Sequence, residues 1–307
     1  MEVVSVNVSA EKGTVKRPVR KVRIDEYGVE GDAHAGAWHR QVSMISEEMM
    51  GEFASEAGKN IEPGAFGENL TVRGVDLRQV GILDRFLIGQ VNLEVTQIGK
   101  ECHGDTCAIY REVGKCIMPH EGVFCRVLAG GEVKPGDNIE FVAKTLRILV
   151  ITLSDRASRG DYGDKSGPTV KARLIDFFAG KRWHAQIETI ILPDDATLLR
   201  QELARGREED VDIVFTTGGT GVGPRDIAPD VVISMADKII PGIMEWIRLR
   251  FGRDNPNALL SRSVAAILGR SIVFTLPGSP KAVTEYMDEI LKTMEHIVFM
   301  IHGVDRH

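Results

Sequence analysis

Residues Ile148-Leu149-Val150-Ile151-Thr152-Leu153 form an essentially unbroken apolar run, and a strand of that composition is stable only where both of its faces are covered. The segments around it repeat one pattern. A helix is expected over 169–178, a strand over 187–191, a helix over 196–205, and strands over 211–216 and 272–275. Each strand runs into a loop rich in Gly, Pro, Ser or Asp. Strand–loop–helix repetition of this kind predicts a parallel sheet with right-handed crossovers, whose ligands sit at the carboxyl ends of the strands. The first 144 residues follow a different period. Val4, Val6 and Val8 alternate with polar neighbours, as do Val91, Leu93 and Val95. Ser46 is a good N-cap for one helix that places Met50, Phe53, Ala54 and Ala57 on a common face. The chain is therefore expected to be a two-domain α/β and β protein. A β-rich, barrel-like domain would occupy 1–144 and a three-layer α/β domain with a mostly parallel sheet 145–307, with the boundary near 143–146.

Charge narrows the partners. The formal net charge is −6 and neither half is basic, which argues against duplex nucleic acid. No apolar run approaches the roughly 18 residues that span a bilayer, and Met1-Glu2-Val3-Val4-Ser5 does not open a secretory signal, so no membrane association and a cytoplasmic location are expected. All four cysteines, Cys102, Cys107, Cys116 and Cys125, fall in one stretch. Without a signal segment this clustering favours chemistry or metal over a disulfide framework. Their spacing is not that of a zinc ribbon; a Zn²⁺ or iron–sulfur site is the lesser reading, and a buried or free thiol is the reading for Cys125.

Four loops in the second half carry polar chemistry. They are Ser154-Asp155-Arg156-Ala157-Ser158 continuing to Asp164-Lys165-Ser166-Gly167, then Pro193-Asp194-Asp195, then Thr217-Gly218-Gly219-Thr220-Gly221 continuing to Pro224-Arg225-Asp226, and finally Pro277-Gly278-Ser279-Pro280-Lys281. The glycine loop can present successive backbone N–H groups to an anion ahead of a helix starting near Pro229. It is not a Walker loop, because no Gly-Lys-Ser/Thr follows. Asp226 is a carboxylate beside a phosphate cradle, where Mg²⁺ is wanted. Local alternatives exist: Asp194 as a cap for the helix near Ala196, Asp155 as a turn-former, Ser279 as a cap for the final helix.

In kind, order and spacing these motifs resemble the molybdopterin adenylyltransferase family, over about 147–302. The resemblance implies that ATP and molybdopterin are substrates, with Mg²⁺ as cofactor, and that the products are adenylylated molybdopterin and pyrophosphate. It assigns catalytic and Mg²⁺-binding roles to Asp194 and Asp226. It assigns substrate contacts to Ser154, Asp155, Arg156, Asp164, Ser166, Gly167, Thr217, Gly218, Gly219, Thr220, Gly221, Ser261, Arg262, Gly278, Ser279 and Lys281, with the Arg262 guanidinium expected on phosphate or pterin oxygens. It also implies a homo-oligomer, a trimer or hexamer, and other cofactor-assembly proteins as partners. One departure is Ala228, where the family has a Thr before the helix proline; a missing hydroxyl cap costs about 1 kcal/mol.

In the first half, Gly31-Asp32-Ala33-His34, Gly64-Ala65-Phe66-Gly67-Glu68-Asn69-Leu70-Thr71, Asp84-Arg85 and 97–102 resemble the MOSC domain, over about 4–141. That resemblance implies binding of the molybdenum cofactor, handling of its sulfur, or reduction of N-hydroxylated bases. It makes Cys102 the functional thiol and His34, Asn69 and Arg85 the cofactor contacts, Arg85 on the pterin phosphate. A non-catalytic carrier of pterin is the competing reading of the whole chain.

Overall fold

The structure, a computed structural model, describes residues 1–101 and 116–306. The chain folds as two compact units, Met1–Lys144 with Val304–His307, and Thr145–Gly303.

The first unit is β-rich. Its elements are β1 (Glu2–Val8), β2 (Arg17–Val19), β3 (Val22–Asp25), β4 (Gly28–Val29), β5 (Val42–Ser46), α1 (Glu47–Ala57), β6 (Leu70–Arg73), β7 (Arg85–Ile88), β8 (Val91–Ile98), α2 (Met118–Glu121), β9 (Val123–Ala129), β10 (Gly131–Val133) and β11 (Glu140–Val142). Eight strands form one sheet in the order β11-β7-β8-β9-β5-β6-β1-β2, and β10-β3-β4 form a second. Among the described strand pairs of this unit, only β5–β6 is parallel. The large sheet curls until its ends meet. Val3 N–H donates to the Asp137 carbonyl at 2.9 Å, Gly136 N–H to Val3 at 2.8 Å and Ile139 N–H to Met1 at 3.0 Å, with a bridge between Glu2 and Asn138.

Two local expectations shift by one position. In β1 the register slips between Val3 and Ser5, so Val3 and Val6 fill the core while Val4 and Val8 are only half-buried. A bulge puts two consecutive residues against one partner and reverses the alternation beyond it. Ser46 does cap α1, accepting Met49 N–H at 3.3 Å, and Gly58 closes the helix in the left-handed region. The buried stripe is Met49, Met50 and Phe53, with Phe53 edge-on to Phe66, and Ala57 is exposed.

The second unit comprises β12 (Thr145–Leu153), α3 (Asp155–Ser158), α4 (Ser166–Phe178), β13 (His184–Leu192), α5 (Ala196–Glu208), β14 (Ile213–Thr217), α6 (Ala228–Met235), β15 (Lys238–Ile239), α7 (Pro241–Gly252), a 3₁₀ turn (Pro256–Leu260), β16 (Ala265–Leu268), β17 (Ser271–Leu276), α8 (Pro280–Ile290) and α9 (Met294–Ile301). The sheet order is β13-β12-β14-β17-β16-β15. The first four strands are mutually parallel and the last two antiparallel. Leu149, Ile151 and Leu153 pack from one face of β12 against Leu199 and Leu203 of α5 and Val231 and Val232 of α6. The strand order reverses direction at β12, with β13 on one side and β14 on the other. That is where an open α/β sheet leaves a crevice at its carboxyl ends.

Candidate functional site

The crevice is a cavity of about 570 Å³, lined by Ser154, Asp155, Arg156 and Arg159 after β12, by Asp194 after β13, and by Gly219, Gly223, Pro224, Arg225 and Asp226 after β14. Two loops are tied through their acids. Asp194 N–H donates to Asp155 Oδ1 at 3.0 Å and Asp155 N–H to Asp194 Oδ2 at 3.3 Å. Arg225 Nη1 donates to Asp155 Oδ2 at 2.7 Å. Ser154 caps α3 by accepting Ala157 N–H at 3.2 Å. Asp195, not Asp194, caps α5, accepting the N–H groups of Thr197 and Leu198. Asp194 is thereby left to face the cavity.

The glycine loop is shaped by contact. Gly218 has φ +102°, and a Cβ there would stand 2.3 Å from the Leu153 carbonyl oxygen. Gly218→Ala is therefore expected to destabilise the second unit by about 1–3 kcal/mol, read as a lowered calorimetric midpoint for that unit. At Gly221 a Cβ would stand 2.8 Å from Asp226 Oδ2, the same oxygen that accepts Gly223 N–H at 2.7 Å. The loop folds around the Asp226 carboxylate. The Ala228 position is met by backbone: its N–H donates to the Gly219 carbonyl at 3.1 Å, so the start of α6 is satisfied without a hydroxyl.

Several expected contact residues build the site from behind. Asp164 Oδ1 accepts from Ser166 N–H and Oγ and from Gly167 N–H, and Oδ2 accepts from Thr152 Oγ1 at 2.7 Å. Thr217 Oγ1 donates to the Pro277 carbonyl, and the Thr220 carbonyl accepts Arg262 N–H. Arg262, expected on phosphate or pterin oxygens, has protein partners in this structure. Its Nε donates to the Gly221 carbonyl, and Nη2 to the Asp226 carbonyl. Both Nη atoms also donate to Asp230, so the fork ties the glycine loop to the first turn of α6. Ser261 Oγ sits between Ser263 Oγ and the Tyr286 hydroxyl, each at 2.9 Å. Gly278 packs against Gly218, and Ser279 caps α8, which α9 follows. The Lys281 side chain is 88% exposed beside Glu285. None of these side chains lines the cavity. Arg159 and Arg225 do; Arg225 stands within the glycine-loop motif, and nothing in the local sequence singles out Arg159.

Burial holds the Asp194 carboxyl above its usual range, and the neighbouring Asp155 and Asp226 carboxylates add to this against the donating Asp155 N–H and the Arg225 charge. A carboxylate so placed favours a cation. The donors are hard oxygens, as Mg²⁺ requires. No group of three or more acidic, His or Cys side chains among the described residues forms a complete metal cage. The arrangement fits an ion held by one or two carboxylates and completed by phosphate oxygens, the usual form of a Mg²⁺–nucleotide site.

The first unit has its own cavity, about 360 Å³, lined by Lys12, Thr14, His34, Trp38, Arg40, Ser43, Asn69, Lys100 and Phe124 among others. The Arg40 guanidinium lies 4.7 Å from the Trp38 ring centre and 6.0 Å from that of Phe124, and its buried Nε has no hydrogen-bond partner. Asn69 is committed to the fold. Its Oδ1 accepts from Ser43 N–H and Oγ, and its Nδ2 donates to the Asn7 carbonyl. His34 leans on Asp32, Nδ1 to Oδ1 at 3.3 Å. His39 has Nε2 3.1 Å from Gln97 Oε1, and burial lowers its pKa. Arg85 is paired within the sheet. It directly faces Glu94 across the β7–β8 hairpin and donates to Glu94 Oε2 from Nε and Nη2, away from the cavity. Among the described residues the Lys and Arg side chains that line the cavity are Lys12, Arg40 and Lys100, and no sequence motif marks Lys12 or Arg40. Cys102 and Cys107 lie outside the described residues. Cys125 is buried, which pushes its thiol pKa up.

Residues 149–296 match the family described as "Probable molybdopterin binding domain", and residues 31–140 match the MOSC domain. The molybdopterin adenylyltransferase of Escherichia coli (strain K12) is 34% identical over 161 residues, 52% of this chain and 80% of that protein. That of Helicobacter pylori (strain J99) is 33% identical over 162 residues, 52% of this chain and 90% of that one. Molybdenum cofactor biosynthesis protein B of Bacillus cereus is 34% identical over 163 residues, 52% and 92%. A solved structure titled as molybdenum cofactor biosynthesis protein B is 32% identical and covers 53% of this chain and 99% of its own, with a TM-score of 0.47. With four-fifths or more of each of these relatives spanned at a third identity, the chain belongs, through its second half, to the molybdopterin adenylyltransferase family, and carries a MOSC domain ahead of it.

Proposed function

We propose that the second unit catalyses Mg²⁺-ATP-dependent adenylylation of molybdopterin, as a step of molybdenum or tungsten cofactor assembly in the cytoplasm. The observation that carries this reading is the convergence of Asp194, Asp226 and the glycine loop on one cavity at the switch point of the sheet. A phosphate oxygen of the pterin side chain forms a bond to the α-phosphorus of ATP, and the bond to the β-phosphate oxygen breaks, releasing pyrophosphate. The protein's task is to position and to neutralise. Asp194 and Asp226 would hold Mg²⁺, which when bound offsets charge on the phosphates. The glycine loop offers N–H groups to the same phosphates, and Arg156, Arg159 and Arg225 place positive charge at the rim. Asp164 and Arg262 fix the loops that do this.

For the first unit we propose binding of the pterin cofactor in the 360 Å³ cavity, with Lys12, Arg40 and Lys100 on its phosphate and His34 and Asn69 lining it. Sulfur handling by Cys102, outside the described residues, is proposed on the resemblance to the MOSC domain alone. The unpartnered Nε of Arg40, beside the Trp38 and Phe124 rings, supports binding in this cavity. Residues 1–144 and 145–307 would then be the two working modules. An assembly of copies through the second unit, a trimer or hexamer as in the resemblance, is supported by exposed Trp246 and Leu249 on α7 and Leu259 and Leu260 on the 3₁₀ turn.

Purified protein given ATP, Mg²⁺ and molybdopterin is expected to release pyrophosphate only when pterin is present. Bound pterin with no pyrophosphate would instead favour a carrier. Turnover of an N-hydroxylated base would favour the reductase reading of the first unit. Arg40→Gln is expected to cut pterin retention by the first unit at least roughly tenfold, measured as pterin fluorescence after gel filtration, while pyrophosphate release by the second unit persists.

A further inference from the structure

Asp155, Asp194 and Asp226 share one cavity, yet the two arginines of the glycine loop's surroundings treat it differently. Arg262 is fixed by four hydrogen bonds to Gly221, Asp226 and Asp230. Arg225 makes a single one, to Asp155 Oδ2, bridging loops 70 residues apart in sequence, and its side chain is 75% exposed. An ion pair whose cation stands in solvent is weak, even with Asp155 itself partly buried, and does not hold a guanidinium against a polyphosphate carrying a divalent ion.

The geometry points to Arg225 as an exchangeable counter-ion, a positioning residue with two partners. Without ligand it neutralises Asp155 and draws the first and third loops together. When a metal–nucleotide enters, the carboxylates gain a divalent cation, and Arg225 gives up Asp155 and turns its fork to phosphate oxygens at the rim it shares with Arg156 and Arg159. The inference rests on the proposed nucleotide site and names how that site is kept charge-balanced before substrate arrives. It also accounts for an acidic cluster that is not a complete metal cage among the described residues: the phosphates that release Arg225 are those that complete the coordination.

The test uses the full chain and two ligands that do not turn over: Mn²⁺ alone, followed by electron paramagnetic resonance, and α,β-methylene-ATP with Mn²⁺, followed by calorimetry. Arg225→Gln is expected to bind Mn²⁺ about fivefold more tightly than wild type, the upper end of an exposed ion pair, and to bind the nucleotide analogue roughly tenfold or more weakly. Arg225→Lys should return Mn²⁺ affinity to wild type while restoring only part of the nucleotide affinity, since an ammonium replaces the charge but not the fork. An arginine with a purely architectural role would weaken both ligands together. Mn²⁺ bound no more tightly by Arg225→Gln than by wild type overturns the inference. Asp194→Asn indistinguishable from wild type in Mn²⁺ binding overturns instead the carboxylate reading beneath it.

Discussion

Asp226→Asn and Asp194→Asn are each expected to lower pterin-dependent pyrophosphate release by about 10²–10³-fold, the scale of losing one group that stabilises transition-state charge. Both substitutions keep the local hydrogen bonds. An amide oxygen at 226 can still accept Gly223 N–H, and one at 194 can still accept Asp155 N–H. The loss would therefore be one of charge, with unfolding temperature little changed. Near-wild-type release from either variant would remove that carboxylate from the catalytic role. Acidity supplies a second reading of the same group. Because burial and its acidic neighbours raise the Asp194 carboxyl above its ordinary 3.8, it takes up a proton at higher pH than a free aspartate, and a protonated carboxyl does not hold a cation. The acid limb of the pH–rate profile should lie above the free-carboxylate range at low Mg²⁺ and move down as Mg²⁺ is raised.

The largest stability effect is expected in the first unit, at Asp32. Its Oδ2 accepts from buried Lys16 Nζ at 2.6 Å and from Ser9 N–H at 3.1 Å, and its Oδ1 from His34 N–H at 2.9 Å. Burial alone would push this carboxyl up, but hydrogen bonds from His34 and the charge and hydrogen bond of Lys16 outweigh it and hold it well below the usual range. Burial pulls the Lys16 ammonium down at the same time, so the stabilisation rests on the donors that converge on the carboxylate. Asp32→Ala leaves a buried ammonium and two backbone N–H groups without an acceptor, and is expected to cost about 3–5 kcal/mol. Lys16→Met leaves the other donors in place and should cost about 1–3 kcal/mol. Urea unfolding in a background with Trp183 and Trp246 changed to Phe lets Trp38 report this unit alone. Equal costs for the two variants would show that the ammonium, not the carboxylate, organises the cluster. With the pKa depressed, the contribution is complete above about pH 3.8 and is lost only as the pH falls further.

The second unit is the more legible half. The β12 run, the β13 strand and the α5 helix follow from composition and period, and the four loops follow from strand ends rich in Gly, Pro and Asp. The antiparallel edge is not legible, because β15 and β16 are two and four residues long. Helix α7 buries Met244 and Ile247 while leaving Trp246 and Leu249 exposed, so its apolar residues do not fall on one face and the helical period is blurred. At the site, carboxylates and glycines announce themselves by motif. The role of Arg225 does not, since its partner Asp155 lies 70 residues away, and that of Arg40 does not, since Phe124 reaches it only through the fold although Trp38 is its near neighbour. The pairing of Arg85 is local instead. Its partner Glu94 stands directly opposite in a hairpin whose turn is only Gly89-Gln90, and that register pairs the two.

The curled sheet of the first unit has a consequence for synthesis. Its closing seam joins Met1–Val3 to residues 136–139, the opposite ends of the unit. A ribosome releases the first of these strands long before the last. Until residue 139 has cleared the exit tunnel, the 136–139 flank of β1 is an unpaired edge, open to pairing with another chain. Seams of such long sequence separation also close slowly. The tail of this unit's folding is thus set by the ribosome's pace, and the helices and strands of the second unit, whose parallel pairs span shorter stretches, begin to emerge while that seam is still closing.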